Sequence, residues 1–137
     1  MSGFFELTVP GVPVAKGRPR MSKGRAYTPE RTQDAEEALR MAFREAGAKR
    51  MQGSLEVSLY FLFPIPQRVR GAKREKMEEA EPYRVGKPDI DNLCKLVLDA
   101  ANGILWGDDG QVVKLEAHKT YGAEACTTIN VLMLKEE

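Results

Sequence analysis

The sequence predicts an α/β (α+β) domain with helices packed on a mixed β-sheet, and three observations carry that prediction. Segments with an apolar residue at every second position alternate with segments of helical spacing, in the order β, α, β, α, β, β. Proline and glycine punctuate the boundaries between them. The 137 residues fit a single domain, 1–137, long enough to bury a core without disulfides or a structural metal.

Phe5, Leu7 and Val9 alternate with Glu6 and Thr8, which predicts a first strand ended by Pro10 and Gly11. Gly11 to Thr28 is basic and broken by proline and glycine, a loop or an irregular hairpin. Thr28-Pro29-Glu30 has the order of N-cap, first-turn proline and first-turn acid. Ala35, Ala38, Leu39, Ala42, Phe43 and Ala46 then recur at helical spacing, and Gly47 stops the helix. Leu55, Val57, Leu59, Phe61 and Phe63 define a strand with one buried face, closed by Pro64 and Pro66. Residues 67–86 are charged and poor in apolar side chains, an exposed excursion with one short helix around Arg74 to Glu79, expected to be the most mobile part. Leu93, Leu96, Val97, Ala100 and Ile104 mark the second main helix, closing near Asn102-Gly103. Two β-rich segments follow, about 111–121 and 126–134, with Gly122-Ala123-Glu124 between them as the turn of an expected hairpin.

The 21 basic and 20 acidic residues nearly cancel, so global charge argues for no polyanionic partner. Their distribution is uneven: Lys16, Arg18, Arg20, Lys23 and Arg25 follow one another with no acid between them. Cys94 and Cys126 belong to no metal-ligand spacing and read as buried small residues in a reducing compartment. The N-terminus has no basic region followed by an apolar run, and no apolar stretch is long enough to span a bilayer. A cytoplasmic protein with no membrane partner is expected. No internal repeat is visible.

The most informative stretch is KPDIDNLCKLVLDAANGILWGDD, residues 87–109. It puts Asp89 and Asp91 at the start of the second helix and Asp108 and Asp109 just beyond its end. Hard divalent cations want oxygen ligands, and metal-dependent phosphodiester hydrolases cluster carboxylates in this way. The other account is structural: Asp89 caps the helix, Asp91 meets the helix dipole, and Asp108-Asp109-Gly110 is a turn. Asp91, Lys95 and Asp99 fall at i, i+4 and i+8 on one helix face, away from Leu93, Leu96 and Val97. Lys95 is thus either an i,i+4 salt-bridge partner or a cation one turn from the metal ligands, placed to stabilise transition-state charge. Spacing leaves both open.

KPDIDNLCK, LDAANG and WGDDGQVV, together with VPGVPVAKGRPR and YTP nearer the N-terminus, resemble the signature of the RusA family of Holliday junction resolvases, common in phages and prophages. The motifs occur in the same order and cover most of the chain. The resemblance implies a RusA-like fold and a homodimeric endonuclease that cuts four-way branched DNA in symmetric pairs, in recombination and repair. Mg²⁺ or Mn²⁺ would be its cofactor, with no small-molecule cofactor. It assigns Asp89, Asp91 and Asp109 to the metal, Lys95 to catalysis and Asp108 to an acidic neighbour at the same site. Where some relatives carry a run of arginines before the first aspartate, this chain has Val85-Gly86-Lys87-Pro88. DNA contact there would fall to Lys87 and Arg84, or to the basic excursion 68–76.

The KGRPR run offers Lys16, Arg18 and Arg20 to phosphate oxygens from a loop stiffened by Pro13 and Pro19. Lys119 matches a family lysine and is a further DNA-contact candidate. His118, the single histidine, reads as structural or surface. Trp106 is expected to pack against the sheet and set the approach of the Asp108-Asp109 turn, its alternative being to stack on an unpaired base. A two-fold dimer matches the two-fold symmetry of a junction, with Leu62, Val131 and Leu132 as interface candidates. The competing functions are a branched-DNA-binding protein with weak or no nuclease activity, and a structural or regulatory protein whose acids only cap elements.

Overall fold

The computed structural model describes residues 3–27 and 29–134, so Thr28, the expected helix cap, lies outside the described residues. The elements are β1 (Phe4–Pro10), β2 (Arg20–Ser22), β3 (Arg25–Tyr27), α1 (Glu30–Glu45), β4 (Leu55–Pro64), α2 (Gly71–Ala80), α3 (Ile90–Ala101), β5 (Val112–Gly122) and β6 (Cys126–Met133), with a 3-10 turn at Asp109–Gln111 before β5. The α+β reading holds. Four strands form a mixed sheet in the order β1-β6-β4-β5, with β4 and β5 parallel and the other pairs antiparallel. Residues 11–27 hold a small hairpin, β2-β3, turned by Lys23 and Gly24 at φ 52° and 77°. Positive φ at both central positions matches the twist of a two-residue hairpin.

The every-second-residue pattern of β4 is realised in full: Leu55, Val57, Leu59, Phe61 and Phe63 are buried. Their face meets Phe5 and Leu7 of β1, Ile129 and Val131 of β6, Leu39 and Phe43 of α1, and Leu93, Leu96 and Val97 of α3. Both helices therefore cover one face of the sheet. Val131 is fully buried in this core, so it does not belong to a dimer surface, whereas Leu132 on the opposite face is exposed. Among the described residues no helix is long and apolar enough to cross a membrane.

Two expectations are corrected. β5 and β6 form no hairpin, because β6 crosses to the other side of β4 and pairs with β4 and β1. β6 carries the fully buried Ile129 and Val131, while Val113 and Leu115 of β5 are exposed. The more apolar strand takes the interior place and the charged one takes the edge. Gly122 permits the crossing: a Cβ there would lie 2.5 Å from Leu62 Cδ2.

The excursion 67–86 also holds more regular structure than its composition suggests. Its helix is longer than expected, and Arg74 donates to the carbonyls of Pro66 and Val69 at 3.1 and 3.0 Å. The chain after α2 then lies along the free edge of β5, with Tyr121 N donating to Pro82 O and Arg84 N to Lys119 O, both at 2.9 Å. The edge strand is thus covered where the excursion returns to α3.

Candidate active site

α3 begins with Asp89 at its N-cap in extended conformation, but the carboxylate makes no capping hydrogen bond. It faces Lys87 instead, whose Nζ lies 2.8 Å from Asp89 Oδ2. That hydrogen bond, opposed by slight desolvation and aided by the charges of Lys87, Lys119 and Arg18, holds the Asp89 carboxyl below the usual carboxylate range. Asp91 sits in the first turn, where Oδ1 accepts from Asn92 N at 2.9 Å. The capping explanation therefore does not account for Asp89.

Asp91 lines two adjoining cavities. The smaller, about 390 Å³, is also lined by Cys94, Lys95, Asp99 and Asp109. The larger, about 630 Å³, is bordered by Tyr83, Lys87, Asp89, His118 and Lys119. The face predicted from i, i+4, i+8 spacing is formed, with Lys95 Nζ 3.9 Å from Asp99 Oδ2. Folding adds Asp109, brought from beyond the helix to the cavity that holds Asp91 and Lys95.

The two adjacent acids at 108 and 109 have different positions. Asp108 caps the 3-10 turn, accepting from Gly110 N at 3.0 Å in a reciprocal arrangement with Gln111. Asp109 is left to the cavity. Gln111 fixes the turn to the rest of the protein, its Nε2 donating to Met51 O and Gly53 O at 3.1 Å while its Oε1 accepts from Gly107 N at 2.8 Å. Trp106 is fully buried, its indole donating to Asn102 Oδ1 at 2.8 Å, so it sets the turn and is closed to a DNA base. Gln111 was visible within WGDDGQVV, but its partners come from the distant loop before β4.

The basic residues also divide. Lys16 is not an exposed phosphate contact: its ammonium pairs with Glu36 of α1, and with Asp99 of α3 at 3.2 Å. Burial pulls its pKa down, but the hydrogen bonds to Glu36 and Asp99 outweigh this and leave it raised. Lys119 is likewise committed, donating to the carbonyls of Gly86 and Pro88 and so tying β5 to the loop before α3. Arg18, Arg31, Arg84 and Lys87 line a groove of about 710 Å³ that shares Arg84 and Lys87 with the cavity of Asp89 and Asp91. Arg31 had no signal in the sequence, because α1 alone does not reveal what faces it. Arg20 lies in β2, and its side chain falls outside the described residues.

Comparison with known proteins gives this geometry a setting. The family model described as endodeoxyribonuclease RusA matches residues 10–132. The chain belongs to the RusA endodeoxyribonuclease family. A relative from Bacillus subtilis (strain 168), the uncharacterized protein YqaN, is 32% identical over 127 residues, which cover 88% of this chain and 89% of the relative. The RusA match spans β1's last residue to β6 and includes every acid of the groove. Membership implies a nuclease, a hydrolase of DNA phosphodiesters.

A RusA nuclease is expected to use a divalent cation, and the donors present suit one in kind. Asp91 and Asp109 offer hard carboxylate oxygens in one cavity, as Mg²⁺ prefers. Among the described residues no three His, Cys, Asp or Glu side chains converge closely enough to hold a metal by themselves. Mg²⁺ is commonly held by one or two carboxylates, waters and the phosphate of the substrate, without a complete protein cage.

Proposed function

We propose that this RusA-family protein is a metal-dependent, structure-specific endodeoxyribonuclease that resolves four-way DNA junctions by paired cuts as a cytoplasmic homodimer. The observation that carries the reading is the shared cavity of Asp91, Lys95 and Asp109, opening beside Asp89. Hydrolysis adds water across one P–O bond: the attacking oxygen loses a proton and the leaving oxygen gains one. A bound Mg²⁺ or Mn²⁺ would neutralise phosphate charge and acidify a water. Asp91 and Asp109 would hold it, with Asp89 at the adjoining rim. Lys95, in the same cavity, would meet negative charge developing on the phosphate or the leaving oxygen. Asp108 acts through the turn it caps. The groove of Arg18, Arg31, Arg84 and Lys87 offers the strand a path of cations towards the acids.

The test compares a synthetic four-way junction with a linear duplex of the same sequence, with and without Mg²⁺ or Mn²⁺. Paired cuts in the junction alone, dependent on the cation and lost in Asp91→Asn while junction binding persists, are expected. Junction binding with no product in either metal would replace the nuclease with a branched-DNA-binding protein. Equal, salt-sensitive binding to both DNAs would remove the junction preference.

A further inference from the structure

Beside the cavity of Asp89 and Asp91, three rings stand nearly parallel. Tyr60 of β4 and His118 of β5 are directly paired in the sheet, their centroids 5.2 Å apart and their planes at 8°. Tyr83 follows, its centroid 6.4 Å from His118 and its plane at 12°. Glu116 steadies the middle ring, with Oε2 3.1 Å from His118 Nε2. The backbone holds the outer one: Tyr83 bridges to Thr120, and the bonds of Pro82 and Arg84 to β5 lie on either side of it. Tyr83 nonetheless remains 75% exposed.

A single exposed tyrosine is unremarkable on a protein surface. This one is pre-oriented by two further rings, and its neighbours have a consistent chemistry. Tyr83 and His118 border the cavity that contains Asp89, Asp91, Lys87 and Lys119. They also border a second cavity of about 400 Å³ with Tyr60 and Leu62. Arg84 and Lys87, which line the cavity of Asp89 and Asp91, also line the neighbouring cationic groove; aromatic rings beside such a groove are the arrangement by which proteins hold unpaired nucleotides, because every base has a face to stack.

We propose that Tyr83, backed by His118 and Tyr60, is a stacking platform for an unpaired nucleobase next to the phosphate to be cut. The proposal rests on the reading of the acidic groove as a DNA-cleaving site and adds what holds the strand there. For a phosphodiester to enter a cavity lined by Asp89 and Asp91, the strand must leave the straight path of a duplex, and a base beside it loses a stacking neighbour. The platform replaces that neighbour. Trp106, the other aromatic considered for this task, is buried.

The experiment uses the full-length protein, wild type and with Tyr83→Ala, Tyr83→Leu, Tyr83→Phe and Tyr83→Trp. Each is titrated against a single-stranded oligonucleotide and against a four-way junction carrying 2-aminopurine at the branch point, and its thermal midpoint is recorded. Tyr83→Ala and Tyr83→Leu should bind the single strand about ten-fold more weakly and leave the 2-aminopurine bright. Tyr83→Phe and Tyr83→Trp should keep both affinity and quenching. If alanine destabilises the fold, the comparison of Leu with Phe decides, because both supply apolar bulk and one supplies a ring. Leu matching Phe in single-strand affinity and quenching overturns the platform, even where wild-type junction cleavage is normal. Wild type that ignores junctions, while Leu still loses single-strand affinity, overturns the cleavage reading and leaves the platform standing.

Discussion

Replacing Lys16 with methionine separates two roles that the KGRPR loop could have. Its ammonium pairs with Glu36 and Asp99, and the side chains retain only 18%, 10% and 25% of their exposure. Removing one partner of a fully buried pair costs about 3–5 kcal/mol, chiefly because the remaining charge is left unpaired. Here Arg40 still reaches Glu36 at 3.2 Å and Lys95 lies 3.9 Å from Asp99, so part of the loss is offset. A cost of about 2–3 kcal/mol follows, after allowing for partial exposure. For a domain of this size that lowers the thermal midpoint by roughly 8–12 °C. Urea unfolding, followed by the fluorescence of the single, buried Trp106, measures it directly. Lys16→Met/Glu36→Gln should recover part of the loss. The pH dependence has a definite sign: the folded pKa of Lys16 is raised above 10.5, so its stabilisation is complete below that pH and fades as pH rises through the higher folded value. Wild type and Lys16→Met should therefore converge in strongly alkaline solution. Were Lys16 a phosphate contact instead, the variant would keep its stability and reduce the salt slope of DNA binding by roughly one. That pattern would refute the structural assignment.

Asp108→Ala should cost about 1 kcal/mol through the lost cap while retaining most cleavage, whereas Asp109→Ala should abolish cleavage with little effect on unfolding. Comparing single-turnover rates with urea midpoints separates the two. Gly122→Ala should destabilise by about 1–3 kcal/mol, because its Cβ meets Leu62 at 2.5 Å. Adding Leu62→Ala should relieve the clash, and purely additive costs in the double variant would show that the contact is not the cause. Lys95→Ala should change stability by less than about 0.5 kcal/mol and lower the cleavage rate by about 100-fold; a rate loss matched by an equal loss of stability would return Lys95 to a structural part.

How much of this was legible depended on whether a residue's partners were local. The β4 strand was readable because its own alternation records the burial of one face from Leu55 to Phe63. α3 was readable for the same reason at helical period, and the Asp91-Lys95-Asp99 face came with it. The pairing of β5 and β6 was not. Two adjacent strands with a glycine turn look like a hairpin, and only competition for the interior of the sheet puts β4 between them. Lys16 looked like its neighbours in a basic run, since Glu36 and Asp99 come from two different helices. Asp108 and Asp109 are chemically equivalent in sequence, and only the start of the 3-10 turn between them gives one to a cap and the other to the cavity.

The fate of the lysines explains why the groove has chemistry to spare. Lys16 is spent on a largely buried cluster with Glu36 and Asp99, and Lys119 on two carbonyls. Lys95 is different: its side chain is 62% exposed and its ionic partner among the described residues, Asp99, lies at 3.9 Å while sharing its charge with Lys16 at 3.2 Å. An exposed i,i+4 pair of that length is worth a few tenths of a kcal/mol, so little opposes Lys95 leaving Asp99 for an arriving phosphate. Asp99 therefore does for Lys95 what a strong salt bridge could not. It leaves the ammonium at the cavity of Asp91 and Asp109 without a strong tie, and the part-buried Lys16 holds Asp99 itself at 3.2 Å.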